Sequence, residues 1–341
     1  MYKKISIVIL IVFLSSFAFG ITPEDQVDET SFYDFSFGAD IESAANIDDD
    51  NPLDLWTKFL VTTNTQRMAE ILINLGRLGK GNRQIIDNLN NYLMGGNLRF
   101  RSGADVDYTV VSANIAAIME LGDSSSYPAL FSVLYVGYPE VIAWEALGAL
   151  EVIQGNLFQF LFNVIVNNPP DEKFAAFRTG MIIERLSVSE RGQLAEKALE
   201  QSLAEINDNI DLNFMRYDAI NHLAQLRWTR ANDLAIRHYY RVQADYLRNN
   251  VSKERFIEAI ICLGALGNSD AALVLGLQLG LINARTESTG NFDPELTMAI
   301  VQALGNIGFH AAFDHLLTVS SLPYPDDIVG AASEAINRLR W

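Results

Sequence analysis

The chain has 341 residues, of which 25 are lysine or arginine, 42 are aspartate or glutamate, 4 are histidine and 1 is cysteine. Hydrophobic residues make up 49% and charged residues 20%, which is typical of a globular protein rather than a disordered one. The formal net charge of −17 argues against a general nucleic-acid binder, because such proteins need basic surface to neutralise phosphates. A single cysteine excludes an intramolecular disulfide and a cysteine-based zinc site.

Residues 1–20 have the pattern of a secretory signal peptide. Lys3 and Lys4 form a positive start, an apolar run follows, and Ala18 and Gly20 are the small residues that signal peptidase requires. The apolar run is shorter than the ~20 residues that span a bilayer, so we expect cleavage and no stable membrane span afterwards. The sequence therefore predicts an exported chain that resides in the periplasm or, as the alternative, outside the cell.

Residues 21–55 form an acidic leader with eleven acids and no lysine or arginine. It lacks a helical apolar period, so we predict a largely extended or disordered segment. Its run Asp48–Asp50 lacks the glycine and the distal glutamate of an EF-hand loop and is interpreted as solvated acidic surface. Four aromatic residues interrupt the leader, and they either dock on the first helices or form a motif for another protein. These are Phe32, Tyr33, Phe35 and Phe37.

Residues 56–341 are predicted to be helical, and the helices repeat. Apolar residues spaced three apart share one helix face, so each triplet of them marks a buried stripe. Clear triplets are Leu72/Leu75/Leu78, Ile115/Ile118/Leu121, Trp144/Leu147/Leu150, Ile220/Leu223/Leu226, Ile260/Leu263/Leu266 and Val301/Leu304/Ile307, and degenerate ones are Gly180/Ile183/Leu186 and Ser333/Ile336/Leu339. The last members recur at a mean interval near 37 residues. Each triplet is followed by a second apolar stretch, so each unit is predicted to be a helical hairpin.

Four of the triplets are followed directly by glycine, which can take the left-handed conformation that ends a helix. These glycines are Gly79, Gly122, Gly267 and Gly308. With the segments AIICLGALGNSDAALVLGLQLG and AIVQALGNIGFHAAFDHLL, the pattern resembles the HEAT repeat family in its bacterial form. The resemblance implies an all-α fold, an α-solenoid of about seven helical hairpins over residues 56–341. Alanine and glycine at Ala259, Gly264, Ala299, Ala303 and Gly305 are expected to allow close helix contacts.

The resemblance is weakest between residues 150 and 210, where Glu151 and Ser187 occupy the expected glycine positions. Unit boundaries stay open there, and armadillo-type or other helical hairpins remain the alternative. At the end of the chain, residues 331–341 are predicted to form a lone closing helix whose free face is covered by Arg338, Arg340 and Trp341.

The sequence carries no catalytic motif, so we predict no catalytic, cofactor or metal site and a protein that is not an enzyme. Gly76–Gly81 lacks the spacing of a phosphate loop, and helix termination explains its glycines. His310 and Asp314 share a helix face, but His315 points away from them, and no H-E-x-x-H motif occurs. Cys262 lies in a buried triplet stripe and is predicted to be a core thiol.

The most suggestive surface feature lies in the segment 226–250. At 100° per residue, four arginines would form one stripe on a continuous helix, beside aromatic residues typical of interface hot spots. The candidate partner-binding residues are Arg230, Arg237, Arg241, Arg248, Trp228 and Tyr240. Such a stripe would dock an acidic partner or an anionic envelope polymer. The alternatives are an ordinary solvated face, with tyrosines in the core, and a site on which the acidic leader folds back.

The fold resemblance implies a non-enzymatic protein–protein interaction scaffold whose partner the sequence does not identify. Two other functions stay open: a binder of an anionic envelope polymer or lipid head group through the arginine stripe, and an enzyme-maturation or lyase-type HEAT protein. No nucleic-acid partner is expected.

Overall fold

The computed structural model describes residues 51–205 and 209–340, and these residues are almost entirely helical. Within these two ranges no β-strand forms, and a single isolated bridge joins Phe309 to Arg340. The predicted signal peptide, residues 21–50 of the leader and Trp341 lie outside the described residues.

Sixteen α-helices are found in the described ranges. They are α1 (Pro52–Val61), α2 (Thr65–Leu78), α3 (Arg83–Arg101), α4 (Tyr108–Leu121), α5 (Tyr127–Val133), α6 (Glu140–Val152), α7 (Leu157–Asn167), α8 (Pro170–Ile182), α9 (Val188–Ala204), α10 (Ile210–Leu226), α11 (Asn232–Leu247), α12 (Lys253–Leu266), α13 (Ser269–Thr289), α14 (Pro294–Ile307), α15 (Phe313–Val319) and α16 (Asp326–Asn337). Short 3-10 helices lie at Ser124–Ser126, Thr229–Ala231 and His310–Ala312.

The helix starts are built from side chains that accept hydrogen bonds from free backbone N–H groups. Asn51 caps α1 by accepting from the Leu53 amide at 3.0 Å, and Pro52 supplies a fixed φ at the first helical position. Leu55 and Phe59 of α1 are buried. The helical region therefore starts at Pro52, four residues before the start at Trp56 that the sequence predicts.

Helices pack in an alternating order that weakens once in each series, between α6 and α8 and between α5 and α7. In one series α2 contacts α4, α4 contacts α6, and α8, α10, α12, α14 and α16 each contact the next. In the other series α3 contacts α5, and α7, α9, α11, α13 and α15 each contact the next. Helices that are consecutive in the chain also pair, as in α9 with α10 and α11 with α12. Each interior helix is thus covered on several sides, and the core runs between the two series.

The predicted triplets all lie on the even-numbered helices or at their ends, but not every member is buried. All three residues are buried in α4 and α12, whereas Trp144 of α6 is exposed. Its indole Nε1 donates to Glu140 Oε1 at 3.0 Å on the surface, and α6 buries Ile142 and Ala146 instead. In α16, Ser333 is exposed as well. The triplet spacing therefore identifies the helices of this series, but single triplet members are exposed on α2 (Leu78), α6 and α16.

Glycine ends the helices in two different ways. Gly122 and Gly308 adopt the left-handed conformation, with φ of 68° and 67°. Gly79 and Gly267 do not, because their φ values are −84° and −69°. A Cβ at either of these two positions would come within 2.7 Å of a backbone oxygen of the preceding helix. Glycine is required there by close approach rather than by a positive φ.

Candidate partner-binding surface

The four arginines of the predicted stripe do not share one helix. Arg230 lies in the 3-10 helix before α11, Arg237 and Arg241 lie on α11, and Arg248 directly follows its last residue. A continuous helix over residues 230–248 is therefore a wrong expectation. Because the 3-10 helix at residues 229–231 breaks the α-helical periodicity, Arg230 does not lie on the helix face expected for the other three arginines.

Arg230 and Trp228 are held together by one acid of the neighbouring helix α9. The Trp228 Nε1 donates to Glu196 Oε2 at 2.8 Å, and the Arg230 guanidinium lies 3.0 Å from the same carboxylate and over the Trp228 ring. The indole also packs on Gly192, where a Cβ would lie 2.6 Å from the ring. These two candidate residues therefore fasten residues 228–230 to α9.

The remaining candidates differ in how much they expose. Arg241 is partly buried and donates to the backbone oxygen of Glu205 at 2.9 Å. Arg237 and Arg248 are exposed. Tyr240 is also exposed, at 50% of its surface. Its neighbour Tyr239 is fully buried against Phe256, and that burial raises the pKa of its hydroxyl. The members that another molecule can reach are thus Arg237, Tyr240, Arg248 and, although it is paired with Glu196, Arg230, whose side chain is 68% exposed.

A row of exposed leucines on the next helix of the series, α13, was not predicted from the sequence. Leu273, Leu277 and Leu281 are 52%, 65% and 69% exposed, and their spacing of four residues places them on one face. The spacing of these leucines is visible in the sequence, but their exposure could not be predicted because α13 is apolar around most of its circumference. Periodicity alone does not separate an exposed leucine row from the buried one beside it.

Hydrogen bonds fix how α13 is oriented between its neighbours. Gln278 Oε1 accepts from Gln243 of α11 at 2.9 Å, and Asn283 Nδ2 donates to the backbone oxygen of His315 on α15 at 2.9 Å. The leucine row therefore points neither at α11 nor at α15. On α15, Leu317 is 50% exposed. We call Tyr240, Leu247, Leu273, Leu277, Leu281 and Leu317 the apolar face of α11–α15.

A cavity of about 410 Å³ adjoins this face at the ends of α11 and α13. Leu247, which is largely exposed, belongs both to the apolar face and to the cavity wall. The other walls combine aromatic, amide and charged side chains. They are Gln243, Tyr246, Phe256, Gln278, Ile282, Arg285, Asn291, Phe292, Asp293 and Leu296. A concave site of mixed polar and apolar lining beside an exposed apolar row is an arrangement that can receive an anchoring side chain from a partner.

A buried polar pair lies between α10 and α11, under the arginine-bearing segment. The Arg216 guanidinium is 3.4 Å from His238 Nδ1, and both side chains are almost completely buried. Burial, followed by the charges of Arg216 and Arg241, lowers the pKa of His238 to about 3. The imidazole is therefore neutral at neutral pH, and it serves as packing rather than as an acid–base group.

The remaining nucleophilic and metal-ligating side chains include Cys262, His310 and His315. Cys262 is buried, its Sγ lies 3.2 Å from Asn221 Oδ1, and burial raises the pKa of its thiol to about 12. His310 lies in a 3-10 helix, whereas the His315 ring sits against Gly276 and Gly280 of α13. No group of three metal-ligating side chains occurs within residues 51–205 and 209–340. Burial also keeps the Cys262 thiolate, the nucleophilic form, out of reach at neutral pH.

No protein-family model matches the chain, and no curated protein matches it. Within the described ranges, every helix is either too short or too polar to cross a membrane.

Proposed function

We propose that the chain is an exported, non-enzymatic scaffold, a HEAT-like α-solenoid that binds a protein partner through the apolar face of α11–α15. The single observation that carries the proposal is the exposed row Leu273, Leu277 and Leu281. Solvent-exposed apolar rows of this extent on a helix mark interaction surfaces. The alternating contacts of the two helix series and the all-helical content support the repeat interpretation.

The chemistry of the surface favours a protein over an anionic polymer or lipid head group. A polymer site needs several free cations, but Arg230 is paired with Glu196 and Arg241 donates to the Glu205 backbone. Arg237 and Arg248 stay exposed at the edge of the apolar face. Large apolar side chains with a few arginines at the rim are typical of a protein interface.

The partner would contribute an anchor side chain to the 410 Å³ cavity. Tyr246 and Phe256 stack at 5.0 Å between ring centroids and provide an aromatic wall, while Arg285 and Asp293 provide polar ends. An aromatic or branched aliphatic residue with a hydrogen-bonding neighbour fits this lining. An enzyme-maturation role would use the same face to hold a client protein and is a second candidate only in that sense.

The test is site-specific photo-crosslinking in a native cell extract with the cross-linker at position 277 and, as control, at position 141. Val141 of α6 is 68% exposed, so both positions are accessible. We expect one major cross-linked protein at 277 that is absent at 141. An excess of purified chain should compete for the partner, whereas the variant Leu273→Gln, Leu277→Gln, Leu281→Gln should not.

Salt separates the competing interpretations. Exposed charge contacts weaken when the Debye length falls from about 10 Å at 0.1 M salt towards 3 Å at 1 M. Cross-linking that persists at high salt supports apolar docking. Cross-linking that is lost at high salt, and equally in a variant with Arg230, Arg237, Arg241 and Arg248 changed to Ala, would support the polymer or acidic-partner alternative instead.

A further inference from the structure

The exposed leucine row of α13 is bounded by two opposite charges. Asp270 lies three residues before Leu273. Arg285 lies four residues after Leu281. Spacings of three and four residues keep side chains on one helix face, so both charged residues continue the row. Asp270 and Arg285 are themselves exposed. The outer face of α13 therefore begins with an acid, is apolar in its middle and ends with a base.

Neither charge is paired within the part of the chain that the structure describes. The Asp270 carboxylate and the Arg285 guanidinium have no ion pair and no side-chain hydrogen bond among residues 51–205 and 209–340. They do not pair with each other, because positions 270 and 285 are about 22 Å apart along the helix axis at 1.5 Å per residue. Each end of the leucine row thus presents a charge to another molecule.

Contacts with the neighbouring helices show that the row faces outward between them. On one side, Gln278 accepts a hydrogen bond from Gln243 of α11. On the other side, Gly276 lies against the His315 ring of α15. At 100° per residue, Leu277 lies about 100° from Gln278 and about 100° from Gly276. The face centred on Leu277 is therefore the outermost part of α13.

The row is symmetric about Leu277. Leu273 and Leu281 lie about 6 Å to either side of it along the helix axis. Asp270 and Arg285 lie about 10.5 Å and 12 Å to either side. If two copies of α13 pack antiparallel on a two-fold axis at Leu277, each residue of one half meets a residue of the other half. Leu277 then meets its own copy, Leu273 meets Leu281, and Asp270 meets Arg285.

The two charges also lie on the same side of the row. Relative to Leu277, Asp270 is rotated about 20° and Arg285 about 80° towards α11. A two-fold axis that crosses the helices at right angles preserves this side, so the acid of one copy and the base of the other lie next to each other. Ala284, which is exposed and small, would lie opposite Asp270 and leave room for the arginine side chain.

We propose that the apolar face of α11–α15 binds a second copy of this chain, with the two α13 helices antiparallel. This inference rests on the proposed function, because it names the partner of the same surface. Charge complementarity selects the arrangement. A parallel pair would place Asp270 against Asp270 and Arg285 against Arg285, and like charges that meet in an interface are unfavourable. The leucines supply the affinity, whereas the two symmetric ion pairs set the direction of packing, because exposed ion pairs contribute little to affinity.

The first test is sedimentation equilibrium of the purified chain at about 1 to 100 µM. We expect a reversible monomer–dimer equilibrium within this range. Leu277→Gln should raise the dissociation constant at least about tenfold, because it places two amides at the centre of the contact. The matched control is Val141→Gln on α6. Val141 is 68% exposed and lies outside the apolar face, so this variant should dimerise like wild type.

Charge reversal tests the antiparallel pairing. Asp270→Arg and Arg285→Asp each bring like charges together, so each should weaken the dimer at least about tenfold. A mixture of the two single variants should dimerise within about threefold of wild type, because the positive row of one copy then faces the negative row of the other. A mixture that stays as weak as the single variants would contradict the pairing of Asp270 with Arg285.

Disulfide formation locates the two-fold axis. Leu277→Cys would meet its own copy and should form a covalent dimer on oxidation, because facing cysteines are close enough to bond. Leu273→Cys alone should not, since it would face position 281. Leu273→Cys mixed with Leu281→Cys should again form a covalent dimer. The native Cys262 is buried and is the same in all these variants.

Two results would overturn the proposal. The first is a wild-type chain that stays monomeric at about 100 µM. If position 277 then still cross-links a different protein, only the second copy is wrong as the occupant and the scaffold proposal stands. If position 277 cross-links nothing, both proposals fail. The second result is a dimer that Leu277→Gln and the charge reversals leave unchanged, because self-association would then use another surface.

Discussion

The contacts between neighbouring helices at the two ends of the helical array differ from those in its middle. At the C-terminal end, α12 meets α14 where Gly264 faces Ala303, and α14 meets α16 where Gly305 faces Ala335. A Cβ on either glycine would lie within 2.9 Å of the facing alanine. The N-terminal end repeats the device between α2 and α4, where Gly76 faces Ala117. These junctions are apolar, and the helices can approach this closely because each glycine lacks a side chain.

In the middle, polar side chains hold the chain between α6 and α9. Glu151 of α6 accepts from the backbone amides of Glu184 and Arg185 at 3.1 and 2.8 Å. The Arg185 guanidinium donates to the Ile153 backbone oxygen at 2.7 Å and to the Tyr127 hydroxyl at 3.0 Å. Glutamate therefore stands where the repeat pattern calls for glycine, because its carboxylate ties the next unit to α6.

This difference explains where the repeat pattern in the sequence is clear and where it fades. Glycine–alanine contacts constrain both residues, so the pattern stays visible at the two ends. A hydrogen-bonded junction constrains only the few polar groups that take part in it, and the apolar spacing around it is free to drift. The two kinds of junction should therefore fail in different ways when they are mutated.

The largest effect is expected from filling an apolar junction. In Gly264→Val the Cβ would lie 2.7 Å from the Cβ and 2.8 Å from the Cα of Ala303, so helix α14 itself would have to move. Overpacking typically costs about 1–3 kcal/mol in the free energy of unfolding, and we expect a clash with backbone to lie at the upper end of that range. Urea denaturation measures it. The control is Gly148→Ala on α6, which meets open space and should raise stability by about 0.5–1 kcal/mol. Equal effects of the two variants would contradict the comparison.

The next largest effect is expected in the pH dependence of the free energy of unfolding, through the buried pair of Arg216 and His238 between α10 and α11. The pKa of His238 is about 3 in the folded chain against 6.5 for a free histidine. Between these values the unfolded chain binds a proton that the folded chain does not. The contribution to stability is therefore complete above pH 6.5 and falls as the pH decreases below it, by up to about 1.4 kcal/mol per unit.

The groups that face His238 are Arg216, Arg241 and Tyr217, and none is an acid that could stabilise the imidazolium. Unfolding at a series of pH values from 7 to 4.5, compared between wild type and His238→Phe, measures the difference in slope. We expect the variant to have the flatter profile. The exposed His310, changed to Gln, is the control and should keep the wild-type slope. A variant profile as steep as that of wild type would remove His238 as the cause.

A smaller loss is expected from the Glu151 network. Glu151→Leu removes the acceptor of two backbone amides in a partly exposed turn, where water replaces some of the bond energy. We expect a loss of about 1–2 kcal/mol, and hydrogen exchange should rise at Glu184 and Arg185 in particular. Glu184→Gln, in the same turn but exposed, should stay within about 0.5 kcal/mol of wild type. If both variants behaved alike, the carboxylate of Glu151 would not be joining these units.

Much of the fold could be predicted from the sequence, because triplets such as Ile260, Leu263 and Leu266 report a helix face directly. The departure at Glu151 was visible, although its hydrogen bonds were not, since its partners lie 33 and 34 residues away. The candidate binding surface was harder to predict from the sequence. The 3-10 turn that displaces Arg230 leaves no signal in an apolar period, and the exposed leucines of α13 resemble the buried ones beside them.

The smallest effect on stability is expected where the proposed function is located. Leu277 is 65% exposed and its row points away from both neighbouring helices, so Leu277→Gln should change the free energy of unfolding by less than about 0.5 kcal/mol. Leu275 of the same helix is fully buried, and Leu275→Ala should cost about 2–5 kcal/mol. Two leucines two residues apart would then differ severalfold in their contribution to folding. A leucine that contributes nothing to folding, next to one that is essential to it, is what a surface shaped for a partner requires. A Leu277→Gln variant that unfolded as readily as Leu275→Ala would make the row part of the core and remove the basis for the docking proposal.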